Sequence, residues 1–281
     1  MELLLTHAYA DFDAIGSLAG AARLYPDAVM VAPAGAEPAV REFLLLHEGL
    51  LPLRAANEID PASVTRAVLV DCQSRRRLGS HAALLDRPGI ELHVYDHHPL
   101  EQPDLPVARR EVEPVGACAT VIVHALRRRR VAIEGFVATA LLLGIHADTG
   151  SLTYEGTTVA DAEAAAWLMQ RDADVAVVRR FLGRTPTPAE RELLRRLIDG
   201  ARYLPVPGTG TSVVFVRLER AAAGEELAGL LPRAMEWLEA PAIFVSIAGD
   251  GKVQVIGRAR TAAVDVGAAM AALGGGGHPR A

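Results

Sequence analysis

Four short segments of this chain carry side chains suited to holding metal ions: His7-Ala8-Tyr9-Ala10-Asp11-Phe12-Asp13, Val70-Asp71-Cys72, Asp96-His97-His98-Pro99 and Ala147-Asp148-Thr149-Gly150. Each of the last three directly follows a run of apolar residues. A carboxylate or imidazole at the carboxyl end of a buried strand points into the crevice where open α/β sheets bind ligands. One such residue is usually a cap or a surface group; four segments placed by the same rule predict convergence. A sharp loop after a strand splays Asp11 and Asp13 toward two neighbouring ions, with His7 completing the shell of the first. Asp71 has two carboxylate oxygens and is placed to bridge both ions, and His97 and Asp148 complete the second shell. Oxygen and imidazole donors without thiolate favour Mn²⁺ over Zn²⁺ or Ca²⁺, and Mg²⁺, Co²⁺ or Fe²⁺ accept the same set.

Two ions about 3.5–4 Å apart lower the pKa of a bridging water and clamp the oxygens of a phosphoryl group during in-line displacement. Phosphate-ester hydrolysis by a metal-bridging hydroxide is the chemistry this implies. Adjacent side chains on an extended backbone point opposite ways, so His97 on a metal leaves His98 for the substrate phosphate, with Asp96 orienting its neighbours.

The elements that must carry these groups alternate along the chain. Apolar runs at 3–6, 28–32, 67–70 and 92–95 read as short strands, and helical spacing appears at 14–25, 38–47, 116–130, 135–145 and 159–170. This alternation predicts an α/β domain with a mainly parallel sheet and helices on both faces. The Gly183-Arg184-Thr185-Pro186-Thr187-Pro188 stretch marks a boundary, dividing the chain into 1–186 and 187–281. Beyond it, a charged helix over 189–203, strands at 212–218, 242–248 and 252–258 and a helix at 264–273 predict a smaller α/β domain across a cleft.

With 281 residues, 51% of them hydrophobic, the chain can bury a substantial core, and no stretch has the length and charge-free character of a membrane span. The amino terminus lacks a basic n-region, and two cysteines are too few for a disulfide framework, so a cytoplasmic protein with Cys72 and Cys118 in its core is expected. A net charge of −5 argues against a broad duplex-DNA footprint. The run Arg127-Arg128-Arg129-Arg130 ends an apparent helix, where cations favour the macrodipole; a contact to RNA or a partner is the sharper reading. His47, His81 and His124 read as structural, His93 lies inside a strand, and His146 reads as a packing residue or a support for Asp148. Trp167 and Trp237 fall at apolar helical positions and are expected in the core.

At Asp96-His97-His98 the chain resembles the DHH family of phosphoesterases, and the resemblance extends over nearly its whole length. The first motif is His7 to Asp13 with Ala14-Ile15-Gly16-Ser17, and Gly274-Gly275-Gly276-Gly277-His278 is similar to the glycine-rich motif of the DHHA1 domain. The resemblance implies that His7, Asp11 and Asp71 bind one manganese ion, that Asp13, Asp71, His97 and Asp148 bind the other, and that His98 contacts the scissile phosphate. Gly116-Ala117-Cys118-Ala119-Thr120 and Arg258-Ala259-Arg260 also fit, with Arg258, Gly275, Gly276, Gly277 and His278 as substrate contacts. Successive glycine N–H groups cradle an anion, which gives the glycine run a physical role. The wording around Ala22 to Ala28 and Val40 to Phe43 resembles bacterial proteins in which DHH and DHHA1 domains precede CBS domains and a tRNA nucleotidyltransferase. The implied activity is a two-metal phosphoesterase or exonuclease for short single-stranded RNA or DNA, or small nucleotides such as 3′-phosphoadenosine 5′-phosphate. A homo-oligomer and further domains in a longer chain are compatible with it. Two rivals are an inorganic pyrophosphatase, which shares the metal motifs, and a non-catalytic module holding nucleotide or RNA.

Overall fold

The computed structural model describes residues 1–99, 104–183, 186–219, 224–249, 252–261 and 264–275. The chain divides into two units, Met1–Arg184 and Thr185–Ala281. In the first, β1 (Glu2–Leu5) leads through β2 (Tyr9–Ala10) into α1 (Phe12–Leu24), followed by β3 (Val29–Met30), β4 (Gly35–Ala36) and α2 (Pro38–Leu46). Then come β5 (Arg66–Val70), the one-turn α3 (Arg75–Leu78), β6 (Glu91–Asp96) and β7 (Val107–Val112). Four helices close the unit: α4 (Cys118–Arg129), α5 (Gly135–Asp148), α6 (Val159–Met169) and α7 (Val175–Leu182).

Among the described residues, five strands form an all-parallel sheet in the order β3-β1-β5-β6-β7. Parallel sheets need cover on both faces, and the side-chain alternation of β5 supplies it. Val68 and Val70 join a core with α1, α4 and α5, while Ala67 and Leu69 join a second core with Leu78, Leu84 and Leu85. Leu3, Leu4 and Leu5 have no exposed surface, each such burial being worth about 1.5–3 kcal/mol. In register, Leu5 pairs with Leu69 and Val70 with Tyr95, so β1, β5 and β6 deliver their next residues to one end of the sheet.

Glycine sets the spacing of the helices behind that end. A Cβ on Gly16 would lie 2.4 Å from the Ala140 carbonyl oxygen, and one on Gly144 would lie 3.0 Å from Asp13 Cα. The α1–α5 approach that seats Asp13 therefore depends on both. Asp11 caps α1, accepting from Ala14 N at 2.9 Å, and Pro26 follows its last residues.

The second unit contains α8 (Pro188–Asp199), β8 (Arg202–Val206), β9 (Thr211–Glu219), α9 (Gly224–Trp237), β10 (Ala242–Gly249), β11 (Lys252–Ala259) and α10 (Val266–Ala272). Its sheet runs β11-β10-β9-β8, with β9 and β10 parallel and the outer pairs antiparallel. The helix expected over 189–203 stops at Asp199, and Arg202–Val206 form an edge strand instead. Gly200 is the stop signal, and Pro205 is tolerated because β8 is an edge. Trp237 is 73% exposed rather than in the core, because it lies on the solvent side at the end of α9. Among the described residues no helix is long and apolar enough to cross a membrane.

Candidate metal centre

The sheet end gathers side chains from all four motifs. His7 follows β1, Asp11 and Asp13 open α1, Asp71 follows β5, His97 follows β6, and Asp148 is the last residue of α5. Asp71 lies between two groups. Its Oδ2 is 3.1 Å from His7 Nε2, which is itself 3.7 Å from Asp11 Oδ2. Its Oδ1 is 3.6 Å from His97 Nε2, which lies 3.9 Å from Asp13 Oδ2 and 3.5 Å from Asp148 Oδ2. Each carboxylate oxygen thus faces a different cluster, His7–Asp11–Asp71 or Asp13–His97–Asp148.

Buried polar atoms normally find hydrogen-bond partners, yet His7 Nε2, His97 Nε2 and Asp71 Oδ1 have none. Orphaned donor atoms converging among carboxylates fit a pair of hard divalent cations. The tautomer agrees: His97 Nδ1 donates to the Val115 carbonyl at 3.2 Å, leaving the Nε2 lone pair toward the carboxylates. Asp71 has a left-handed backbone, φ 53°, which costs a non-glycine residue on the order of 1–2 kcal/mol. Its N–H donates to Tyr95 O at 3.0 Å and to Cys118 Sγ at 3.3 Å, holding that turn.

The crowded, buried carboxylates and imidazoles shift one another's ionisation. Burial opposes protonation of His7, but the Asp11 and Asp71 carboxylates outweigh it and raise its pKa to about 9. His97 behaves likewise, burial being overcome by Asp71 and Asp13, and also reaches about 9. Burial, then Asp71, pushes Asp13 up to about 7. Burial and the neighbouring carboxylates, Asp13 first, raise Asp148 well above its ordinary range. Asp71 goes the other way: burial resists ionisation, but the adjacent His7, His97 and His98 imidazoles hold it well below the ordinary carboxylate range.

Asp96 Oδ1 accepts from His97 N at 2.7 Å, His98 N at 3.0 Å and His98 Nδ1 at 2.8 Å, so it orients both histidines. The opposite pointing expected of the two rings is not observed. Strand β6 ends at Asp96, the chain bends, and the ring centroids of His97 and His98 lie 4.2 Å apart. His98 Nδ1 is 3.3 Å from Asp71 Oδ1; its ring is the more exposed of the two.

Sequence reasoning assigned no role in the site to three contributors. Arg77, on α3, places Nη1 3.4 Å from His98 Nδ1 and Nη2 4.0 Å from Asp71 Oδ2; the run Arg75-Arg76-Arg77 after the β5 motif was its only signal. Cys118, read as a core residue, is also a bridge at the floor of the site, its thiol donating to Tyr95 O at 3.2 Å and accepting from Asp71 N. Its backbone N–H and that of Ala119 donate to Asp13 at 2.6 and 2.8 Å, so Asp13 caps α4.

The third is Asp161, fully buried, which accepts from Gly116 N, Thr120 Oγ1, Thr158 N and Thr158 Oγ1 at 2.6–3.1 Å. Thr158-Val159-Ala160-Asp161 is a capping box, a pattern that could have revealed it. By fixing Gly116 it fixes the adjacent Val115 carbonyl that holds His97. Burial resists its ionisation, but Thr120 and Thr158 lower its pKa. A depressed carboxylate stabilises above its unfolded pKa and loses that contribution as pH falls through the folded one. Asp161→Ala is therefore expected to cost about 2–4 kcal/mol near neutrality, the deficit shrinking below about pH 4. Chemical denaturation across pH measures it; a constant deficit would remove the charge from the explanation.

In the second unit, Arg258 is exposed on the edge strand β11. It shares the parity of Ile256, on the α9 side of the sheet, whereas Gly275 follows α10 on the other face and donates to Met270 O at 3.0 Å. Gly276, Gly277 and His278 lie outside the described residues.

A parallel sheet whose carboxyl ends gather acid and imidazole donors is suited to holding divalent cations. The match to the DHH family, N-terminal domain, spans residues 3–145, and the chain belongs to that family, whose members are metal-dependent hydrolases using divalent ions. Its relatives include an A-adding tRNA nucleotidyltransferase of Geobacter sulfurreducens, 36% identical over 282 residues, covering 100% of this chain and 32% of the relative. A protein of the same name from Aquifex aeolicus is 31% identical over 275 residues, covering 97% and 31%. The chain thus spans about a third of the length of these curated relatives. In fold it is similar to an exopolyphosphatase-related protein of Bacteroides fragilis, with TM-score 0.77 at 14% identity, covering 99% of this chain and 85% of that one. A putative family II inorganic pyrophosphatase of Methanococcus jannaschii is also similar, with TM-score 0.51 at 18% identity, covering 91% and 88%.

Proposed function

We propose that the first unit is a phosphoesterase with two divalent ions, manganese preferred, acting on short oligonucleotides or small nucleotides such as 3′-phosphoadenosine 5′-phosphate. The second unit is read as a DHHA1 domain that holds substrate, and the whole as one part of a longer tRNA nucleotidyltransferase chain. The observation that carries this reading is Asp71, whose two oxygens face two separate ligand clusters beside orphaned imidazole nitrogens. His7, Asp11 and Asp71 would hold one ion, and Asp13, Asp71, His97 and Asp148 the other. Bound there, the ions supply Lewis acidity and lower the pKa of a coordinated water.

The chain's own residues do the rest. Asp96 fixes His98 through Nδ1; burial opposes protonation of His98, but Asp71 and Asp96 outweigh it and raise its pKa to about 9, so the imidazolium also has Nε2–H to donate to a phosphoryl oxygen. Arg77, beside His98, adds a second cation for charge that develops on the phosphoryl group. Asp96 and Gln73 together fix the His98 backbone, Gln73 Nε2 donating to His98 O at 2.7 Å.

The curated relatives are named for a different activity, which supports a second reading, a non-catalytic module that holds RNA. A hydrolysis panel in Mn²⁺ decides between them: dinucleotides, longer RNA and DNA, 3′-phosphoadenosine 5′-phosphate and pyrophosphate. Dinucleotides or the bisphosphate are expected to be cleaved fastest. Pyrophosphate as the best substrate overturns the substrate class, and no turnover with two ions bound favours the holding module.

A further inference from the structure

The arginine run that ends α4 plays no part in the candidate metal centre, and its members divide into two kinds. Arg128 and Arg129 turn onto Glu111, and Arg129 also donates to Tyr95 Oη at 2.9 Å. Arg127 and Arg130 are exposed, and their guanidinium groups have no ion-pair or hydrogen-bond partner among the described residues. The helix dipole accounts for a cation at Arg127, but not for Arg130. That residue caps α4 in the left-handed conformation, φ 53°, a position where glycine or asparagine would be less strained. An arginine that strains the backbone and pairs with nothing in its own fold is suited to an outside ligand.

These two arginines border a groove of ≈ 480 Å³ that Val131, Ile133 and Trp167 also line, and no carboxylate lines it. Arg171 completes it, with its guanidinium carbon 3.6 Å from the Trp167 ring centroid and its Nη1 donating to Trp167 O at 2.9 Å. Its volume lies in the range of small-ligand sites.

We propose that this groove binds a single-stranded nucleic-acid segment, with phosphates on Arg127 and Arg130 and a base laid against the Arg171–Trp167 stack. Guanidinium forks match phosphate oxygens, and bases stack on arginine planes as on aromatic rings. A polyglutamate segment would satisfy the charges but bring no ring for the stack, whereas each nucleotide supplies both a phosphate and a planar base. Because the chain as a whole is acidic, at −5, attraction here is local. The proposal is independent of whether the metal centre hydrolyses anything.

Binding of a labelled oligoadenylate is measured by anisotropy on the full chain in EDTA, with indole fluorescence followed in a Trp237→Phe background. The Arg127→Ala/Arg130→Gly variant keeps the fold, since glycine suits the left-handed position, and thermal melting checks this. Its Kd is expected to rise at least about tenfold, and its log K against log salt slope to flatten by about 1.4, two contacts at about 0.7 each. Trp167 fluorescence should shift on saturation of the parent. Unchanged affinity and slope in the variant overturn the proposal, as does equal binding of a polyglutamate peptide.

Discussion

Asp71→Asn is expected to strip both ions from the first unit and to lower kcat by on the order of 10³-fold or more, at or beyond the loss from one preorganised transition-state donor. The two oxygens of Asp71 face His7 at 3.1 Å and His97 at 3.6 Å, and among the described candidate ligands no other single change reaches both clusters. Asparagine tolerates a left-handed backbone nearly as well as aspartate, and the turn at φ 53° should survive. The variant reads out charge rather than folding. Elemental analysis and kinetics test it together: two ions still bound with near-normal turnover would show that Asp71 is not shared.

His98→Ala should keep both metals and lose on the order of 10²–10³ in kcat, whereas His97→Ala should lose metal. The reason differs from the extended-strand argument, since both rings lie on the same side of the bend. What separates them is the partner of Nδ1: the Val115 carbonyl for His97, which leaves Nε2 among three carboxylates, and the Asp96 carboxylate for His98. Equal metal loss in the two variants would refute the assignment.

The parts of this fold that face apolar surroundings were legible in the sequence. The runs over 3–6, 67–70 and 92–95 are buried on both faces of a parallel sheet, so apolar length alone marks them. The motif residues that follow them could then be placed by strand position. β7 escaped notice because it is an edge strand whose Arg109 and Arg110 are exposed, a pattern of surface polarity without clean alternation. The overrun of α8 came from Leu193, Leu194, Leu197 and Ile198, which keep helical spacing up to the glycine that breaks it. Arg77 and Asp161 were missed because their roles depend on contacts distant in sequence, 21 residues to His98 and 45 to Gly116.

Asp13 differs from the other candidate ligands in what the chain would lose with it. Its oxygens accept the first N–H groups of α4, and Gly144 packs against its backbone. Asp71, on a turn held by backbone and thiol contacts rather than by its carboxylate, has no comparable structural duty. A library screened for cellular abundance should therefore flag substitutions at Asp13 and pass Asp71→Asn and Asp71→Gly, which suit the left-handed turn, although both positions supply a carboxylate to the same pair of clusters. If the proposed hydrolysis holds, variants meant to trap an uncleaved substrate are better built as Asp71→Asn, where the protein would accumulate normally and fail silently.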